Sequence, residues 1–400
     1  MTKDSSNAAL LARRKSNAVP NTEWSPMLEL LARMLCYGIR ADESLASQIV
    51  GKYDLDPGFI HGVIWEVANH WHVNTAFVDS MTRSPLAVTV EEIEGQLLTK
   101  LANNYLSCRP ISQPPSIETN WPQYGKIRQF IRMHNPRAIF ATPVRECVFG
   151  AIGKGCTFCT YDMNKPKPVP PPIFMEMLRR VIDDTGMDVE LALGAATPNL
   201  SDHGIDYFAD IVRRVRQEFD IATSVEMVPP PNLRALDLLI DSGVQSLIMS
   251  IEIWDDAIRE QVCPGKSVIS KQTYLEAWAR SLKRLGSGQV SSVLLVGLEP
   301  EESTKSGIDA LVEIGVIPTL IPFRPYDASG LRDQPLTDHH QYLRCAVYES
   351  KKLRLSQLSP LSQSGCTKCG ACSLETFLSE GQTIVNSELR AAHLDYEFSF

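Results

Sequence analysis

Ten cysteines stand in the chain, and six of them form two tight groups: Cys147 with Cys156 and Cys159, and Cys366 with Cys369 and Cys372. Clustered thiols in a reducing compartment read as metal ligands or nucleophiles, because disulfides do not persist there. The first group has the spacing C-x8-C-x2-C, with Gly150, Gly153 and Gly155 between its ligands. Such glycines let the backbone fold around a cluster and turn N–H groups toward its sulfides. Three thiolates can hold three irons of a [4Fe–4S] cube and leave the fourth iron open to a ligand that is not protein. An open iron implies chemistry, whereas a purely electron-carrying cluster takes four cysteines. The alternative is zinc, with Cys156-x2-Cys159 and Cys366-x2-Cys369 supplying four sulfurs. That reading leaves Cys147 and Cys372 without a purpose. The scattered Cys36, Cys108, Cys263 and Cys345 read as buried small hydrophobes.

The elements that must position these thiols come from the hydrophobic pattern. Residues 1–22 are polar and aperiodic and read as a disordered tail. Met27, Leu30, Leu31, Met34 and Leu35 recur at helical spacing before Gly38, and further helices are expected over 60–68 and after Thr89, where Ile93, Leu97, Leu98 and Leu101 share a face. This makes a mostly helical region over 23–116, closed by the Pro-containing connector 109–116. His70 and His72 fall in it without a partner that would complete a metal set, so packing explains them.

Beyond that connector, β-rich runs alternate with amphipathic helices. Strands are expected near 138–144, 189–194, 222–227, 246–253, 291–297 and 318–323. One helix begins after Pro170-Pro171-Pro172 and stops at Gly186, a second is capped by Ser201 or Asp202, and a third brings Tyr274, Trp278 and Leu282 together. Serial βα units point to an α/β fold, a complete or partial (β/α) barrel over 117–355, with a doubly wound sheet as the alternative. In either case the active site lies beyond the carboxyl ends of the strands, and the first cysteine group occupies the first strand-to-helix loop.

Composition narrows the function classes. At 44% hydrophobic and 22% charged the chain is an ordinary globular protein, not a coiled coil or a disordered one. No apolar run approaches the roughly 18 residues that a membrane span needs. With 39 Lys and Arg against 47 Asp and Glu, the net charge of −8 argues against a phosphate-backbone partner. Neither nucleic acid nor membrane is expected. Arg13, Arg14 and Lys15 follow the short apolar run 8–12, the reverse of the order in a secretory leader, so a cytoplasmic location is expected.

The first cysteine group, with Phe158 immediately before its last member, resembles the signature of the radical S-adenosylmethionine (SAM) enzymes, whose usual form is C-x3-C-x2-C. Later segments resemble that superfamily in order. Leu193-Gly194-Ala195-Ala196-Thr197-Pro198-Asn199 is similar to the segment of biotin synthase that binds the SAM amino group. Ser250-Ile251-Glu252 stands where polar residues approach the SAM ribose and the substrate, and Val296-Gly297-Leu298-Glu299 resembles the segment beside the adenine. A radical SAM family encoded beside nitrilase genes is more similar still. It shares the C-x8-C-x2-C spacing, the Cys263-Pro264-Gly265-Lys266 turn and the C-terminal Cys366-x2-Cys369-x2-Cys372.

The resemblance implies a [4Fe–4S] cluster on Cys147, Cys156 and Cys159, SAM as co-substrate, a small-molecule substrate and an electron donor of flavodoxin or ferredoxin type. Phe158, Gly194, Ala195, Ala196, Thr197, Asn199, Ser250, Glu252, Gly297 and Glu299 are the expected SAM contacts. It also implies that Cys366, Cys369 and Cys372, in the segment 356–400, hold an auxiliary iron–sulfur cluster, a second [4Fe–4S], with a zinc knuckle or redox pair as alternatives. Cys345, a non-cysteine residue, substrate or exogenous sulfide would complete that second site. Its uses are sulfur donation, electron acceptance or substrate anchoring. Glu226 and Glu252, at the third and fourth strand tips, are expected to face the barrel mouth. Arg324, followed by Tyr326, could hold a carboxylate or phosphate bidentately. Lys154 and Lys266 read as solvated loop residues, and Gly153 to Gly155 lacks the remainder of a phosphate-binding loop.

Overall fold

The computed structural model describes residues 24–379, apart from positions 54, 56–61, 78–83, 160–167, 187, 327–328 and 361. The tail expected over 1–22 and the end of the C-terminal segment lie outside the described residues. Helix α1 (Pro26–Tyr37) forms as its periodicity predicts. Ser25 caps it by accepting from Leu28 N at 3.2 Å, Met27, Leu30, Leu31, Met34 and Leu35 are buried, and Gly38 ends it at φ 83°. Helix α2 (Glu43–Tyr53) follows the short strand β1 (Ile39–Arg40).

The rest of this region departs from the helical expectation. It holds β2 (Val63–Val67), β3 (Trp71–Thr75), β4 (Val88–Ile93), β5 (Gln96–Leu101) and β6 (Asn104–Pro110), in a six-stranded sheet of order β1-β4-β5-β6-β2-β3. The helices expected over 60–68 and after Thr89 are therefore strands. The physical reason is at Glu94-Gly95. Both residues have positive φ, 52° and 77°, and form the two-residue turn that brings Ile93 opposite Gln96. Buried Val88 and Val90 then alternate with exposed Thr89 and Glu91, a period of two that the spacing of Ile93, Leu97 and Leu101 disguises. His70 sits in the turn between β2 and β3, and His72 lies on β3 with Nε2 3.8 Å from Glu66.

The second sheet carries the cysteines. After the short antiparallel pair β7 (Asn120–Trp121) and β8 (Gly125–Lys126), β9 (Ile131–Asn135) runs antiparallel to β10 (Ala138–Val144), and β11 (Glu190–Ala195), β12 (Thr223–Glu226), β13 (Ser246–Ile248), β14 (Val290–Val296) and β15 (Ile317–Pro322) continue in parallel. The strand order follows the chain order without reversal and ends at β9 and β15. A doubly wound sheet would reverse at a switch point. The fold is thus a partial (β/α) barrel of six parallel strands, in line with the expected α/β class. β14 is buried at every residue, as a strand covered on both faces must be.

Between the strands run α3 (Val148–Ala151), α4 (Pro171–Thr185), α5 (Ile205–Glu218), α6 (Ala235–Asp241), α7 (Asp256–Val262), α8 (Lys271–Leu285) and α9 (Glu301–Glu313), with α10 (His339–Leu355) after β15. α4 keeps its Pro-start, Gly-end asymmetry. α5 begins at Ile205, and Asp202 supports that start by accepting from Gly204 N and Asp206 N, each at 2.9 Å. On α8, Tyr274 and Trp278 are fully buried, and each satisfies its polar atom on the loop after β13: Tyr274 Oη donates to Ser250 O and Trp278 Nε1 to Met249 O, both at 3.2 Å.

The C-terminal segment folds back among the strands. Ser364 Oγ donates to Leu191 O at 3.0 Å, Gly365 N to Glu190 Oε2 at 2.9 Å, and Leu320 N to Glu375 Oε1 at 2.6 Å. A Cβ on Gly365 would lie 2.8 Å from Ser224 Oγ, so the chain passes too close to β12 for any side chain there. Among the described residues no helix is long and apolar enough to cross a membrane.

Candidate functional site

Loops from β10, β11 and β13 meet at the carboxyl ends of the parallel strands. Cys147 is the N-cap of α3, and the adjacent Val148 N donates to Thr197 O at 2.8 Å, joining the first loop to the second. Thr157 N donates to Val262 O at 2.8 Å, joining the Cys156–Cys159 turn to the end of α7. A Cβ on Gly265 would meet Phe149 Cβ at 2.5 Å and Lys154 O at 2.6 Å. Only glycine lets the 263–266 turn lie this close against the cysteine loop. Cys147, Cys156 and Cys159 are all half-buried, and Phe158 packs on the apolar group of Ile253, Cys263, Val293 and Phe323.

Two residues that the sequence reading set aside belong to this site. Lys266 was expected to be solvated; instead its side chain is only 18% exposed, with Nζ 2.5 Å from Glu252 Oε1. Burial alone would lower its pKa, but the Glu252 carboxylate and Cys156 outweigh this and raise it well above the ordinary range, so it stays charged. Cys263 is fully buried as expected, yet its thiol also hydrogen-bonds to Cys156. That contact pulls the Cys156 thiol down against its burial and pushes Cys263 up. The available signal was their shared turn, Cys263-Pro264-Gly265-Lys266.

The two expected glutamates do meet here. Ser250 Oγ donates to Glu226 Oε1 at 3.2 Å, and burial, then the nearby Glu252 carboxylate, raise the Glu226 pKa. Glu252 has φ 69°, a left-handed conformation that is strained for a residue with a side chain. It is held there by Val293 O accepting from its N–H at 3.0 Å and by its own carbonyl accepting from Leu295 N at 2.8 Å.

The remaining expected contacts have mixed fates. Gly194 has no room for a Cβ, which would lie 2.3 Å from Phe140 Cζ; Ala195 closes β11, and Ala196 N donates to Val144 O at 3.3 Å. Asn199 Oδ1 is occupied in its own turn, accepting from Ser201 N and Asp202 N at 2.9 and 3.0 Å. Gly297, at φ 103°, passes against Thr337. Glu299 accepts from Trp254 N at 3.0 Å and Asp255 N at 2.8 Å, and so braces the loop after Glu252. Burial raises its pKa to about 7. Arg324 is buried and donates to Asn74 O at 2.8 Å, where it faces Cys372. Lys154 is exposed, as expected.

The second cysteine group lines a different, narrow cleft between β10, β11 and the C-terminal segment, with His134, Phe140, Glu190 and Ala192. Cys366 and Cys369 bound a single helical turn, α11 (Cys366–Cys369), and Asn74 Nδ2 donates to Cys372 Sγ at 3.3 Å. Cys345 is buried on α10 beside Glu301 and Arg344, away from that cleft's lining. Among the described residues no three cysteine Sγ atoms lie within 4.8 Å of one another. A single tetrahedral zinc, with Zn–S bonds of about 2.3 Å, draws its sulfurs to about 3.8 Å.

Fold and site together define a partial (β/α) barrel with a thiol triad at its mouth. No family model matches the chain. Bacteriochlorophyllide c C-7(1)-hydroxylase of Chlorobaculum limnaeum is 26% identical over 118 residues, 29% of each chain, so the chain matches under a third of that relative's length. Among solved structures, methylornithine synthase is similar at 14% identity and a TM-score of 0.43, over 56% of this chain and 69% of that one. The coproporphyrinogen III oxidase HemN of Escherichia coli, described as a radical SAM enzyme, is similar at 18% identity and a TM-score of 0.39, over 56% and 54%.

Proposed function

We propose that the chain is a radical SAM enzyme acting on a small molecule. The observation that carries this reading is the convergence of Cys147, Cys156 and Cys159 on the first strand-to-helix loop at the barrel mouth, where the glycine at 265 lets a neighbouring turn close over them. The donor set fits an iron–sulfur cluster: three thiols, more widely spaced than one zinc ion needs, on a glycine-rich loop.

A cluster held by these thiols would supply the one-electron reduction that cleaves SAM, the chemistry by which such enzymes abstract hydrogen from a substrate carbon. The chain's own residues would do the rest. Cys147, Cys156 and Cys159 hold the cluster. Lys266 fixes the Glu252 carboxylate, and Ser250 fixes Glu226, so two carboxyl groups with different partners would face the mouth. The raised pKa of Glu226 favours its neutral form, which can donate as well as accept. The apolar floor of Ile253, Val293, Leu295 and Phe323 keeps water from a reactive centre. Electrons would come from a flavodoxin- or ferredoxin-type donor.

Cys366, Cys369 and Cys372 would hold an auxiliary iron–sulfur cluster. Their insertion among the barrel strands, with Glu226 near enough to raise the Cys366 pKa, supports a role on the substrate rather than electron relay at the surface. Sulfur donation is such a role; it gives a product with a new carbon–sulfur bond and a cluster depleted in sulfide.

The test is a pair of substitutions in anaerobically reconstituted protein. Cys156→Ala should abolish SAM cleavage, while Cys369→Ala should keep cleavage and lose product. The reverse pattern would exchange the roles of the two groups, and cleavage by both would remove Cys156 from the site.

A further inference from the structure

We propose that Glu29, His339 and His340 form a site for one divalent transition-metal cation of the zinc class, which clasps helix α1 to helix α10. The site lies outside both cysteine groups and does not rest on the radical SAM reading. Glu29 comes from α1, and the two histidines open α10; one ligand atom from each lies within 4.8 Å of the other two. The Glu29 Oε1 to His339 Nε2 separation is 3.8 Å. Nitrogen and oxygen ligands on a tetrahedral zinc, at about 2.0 to 2.1 Å from the metal, stand about 3.4 Å apart, so a small closure completes the geometry.

His339 supplies the independent sign of a missing ligand. It is only 5% exposed, and its Nε2 has no hydrogen-bond partner. Its other nitrogen is fixed, since Nδ1 pairs with Tyr37 Oη at 2.9 Å while the same hydroxyl accepts from His339 N at 3.1 Å. A histidine oriented through one nitrogen with the other left bare is how proteins prepare a metal ligand. In the tautomer that places the proton on Nδ1, Nε2 turns a lone pair toward the Glu29 carboxylate, and a cation between them converts that repulsion into two bonds.

The charges around the site favour a cation on balance. The N-terminus of α10 and Arg33 are positive, but Asp338 lies 3.7 Å from His339 Nδ1 and 3.8 Å from His340 Nδ1, and Glu29 adds a second carboxylate. The His340 side chain is 52% exposed and that of Glu29 is 43% exposed, so the ion has an entry path and room for a water ligand. Tyr37 and Glu29 both belong to α1, so a bound ion would fix the N-terminal region against the barrel.

Thiols are zinc-binding groups in their own right, so the test is a difference. Full-length protein is stripped with chelator, titrated with zinc chloride alone and counted by native mass spectrometry, for the wild type, Glu29→Gln and His340→Gln. Both changes are at half-exposed side chains and leave the core intact. The expected result is one fewer zinc per chain in each variant than in the wild type, with a smaller zinc-induced rise in Tm. Equal zinc counts and equal rises in Tm in all three proteins would overturn the proposal and assign the 3.8 Å gap to a bridging water.

Discussion

Lys266 Nζ lies 2.5 Å from Glu252 Oε1, and the part-buried pair sits beside Cys156. Removing one partner of a buried ion pair strands the other charge and costs about 3 to 5 kcal/mol, whereas removing both leaves no charge to strand. With the two side chains 18% and 8% exposed, Lys266→Met should destabilise the protein by at most that amount, and adding Glu252→Gln should restore most of the loss. Chemical denaturation of the two single variants and the double variant checks this. Additive losses would mean that the two side chains do not act as a pair.

Glu299 makes stability depend on pH in a definite direction. Its pKa rises from an ordinary 4.5 to about 7 in the fold, so the folded protein keeps a proton that the unfolded chain gives up. The contribution is present in full below about pH 4.5 and disappears as pH rises through about 7, a fall of about 3 kcal/mol. Glu299→Gln, which keeps the acceptor for Trp254 N and Asp255 N, should flatten this part of the profile of unfolding free energy against pH. An unchanged slope would assign the dependence to other groups.

Gly297 joins β14 to α9 at φ 103°, and a Cβ there would lie 2.3 Å from Thr337 Oγ1. That oxygen already donates to Val296 O and Phe323 O, at 2.9 and 2.8 Å, so it has little freedom to withdraw. Gly297→Ala should cost about 1 to 3 kcal/mol through backbone strain and overpacking together. A lowered Tm is the readout; an unchanged Tm would show that Thr337 can rotate away.

The barrel was legible because its strands are buried on both faces. The run read at 291–297 is β14 at Val290–Val296, buried throughout, and such a run differs plainly from the helices beside it. The N-terminal sheet was not legible in the same way. Ile93, Leu97 and Leu101 fall at helical spacing only because the Glu94-Gly95 turn lies between the first of them and the others. At the site, the cysteine spacing and the strand-tip positions of Glu226 and Glu252 were readable, since both are local facts of sequence. The ion pair of Lys266 was not, because its partner lies 14 residues away and meets it only when the loop after β13 folds over the mouth. The backbone partners of Arg324 and Glu299 were not readable either, since only the tertiary fold brings those groups near.

The most direct measurement of the central claim is the iron and sulfide content of anaerobically reconstituted protein, followed in the same sample by dithionite-dependent release of 5′-deoxyadenosine from SAM. Two four-iron clusters predict about eight irons per chain together with release. Zinc in place of iron, with no release, would contradict the assignment of Cys147, Cys156 and Cys159.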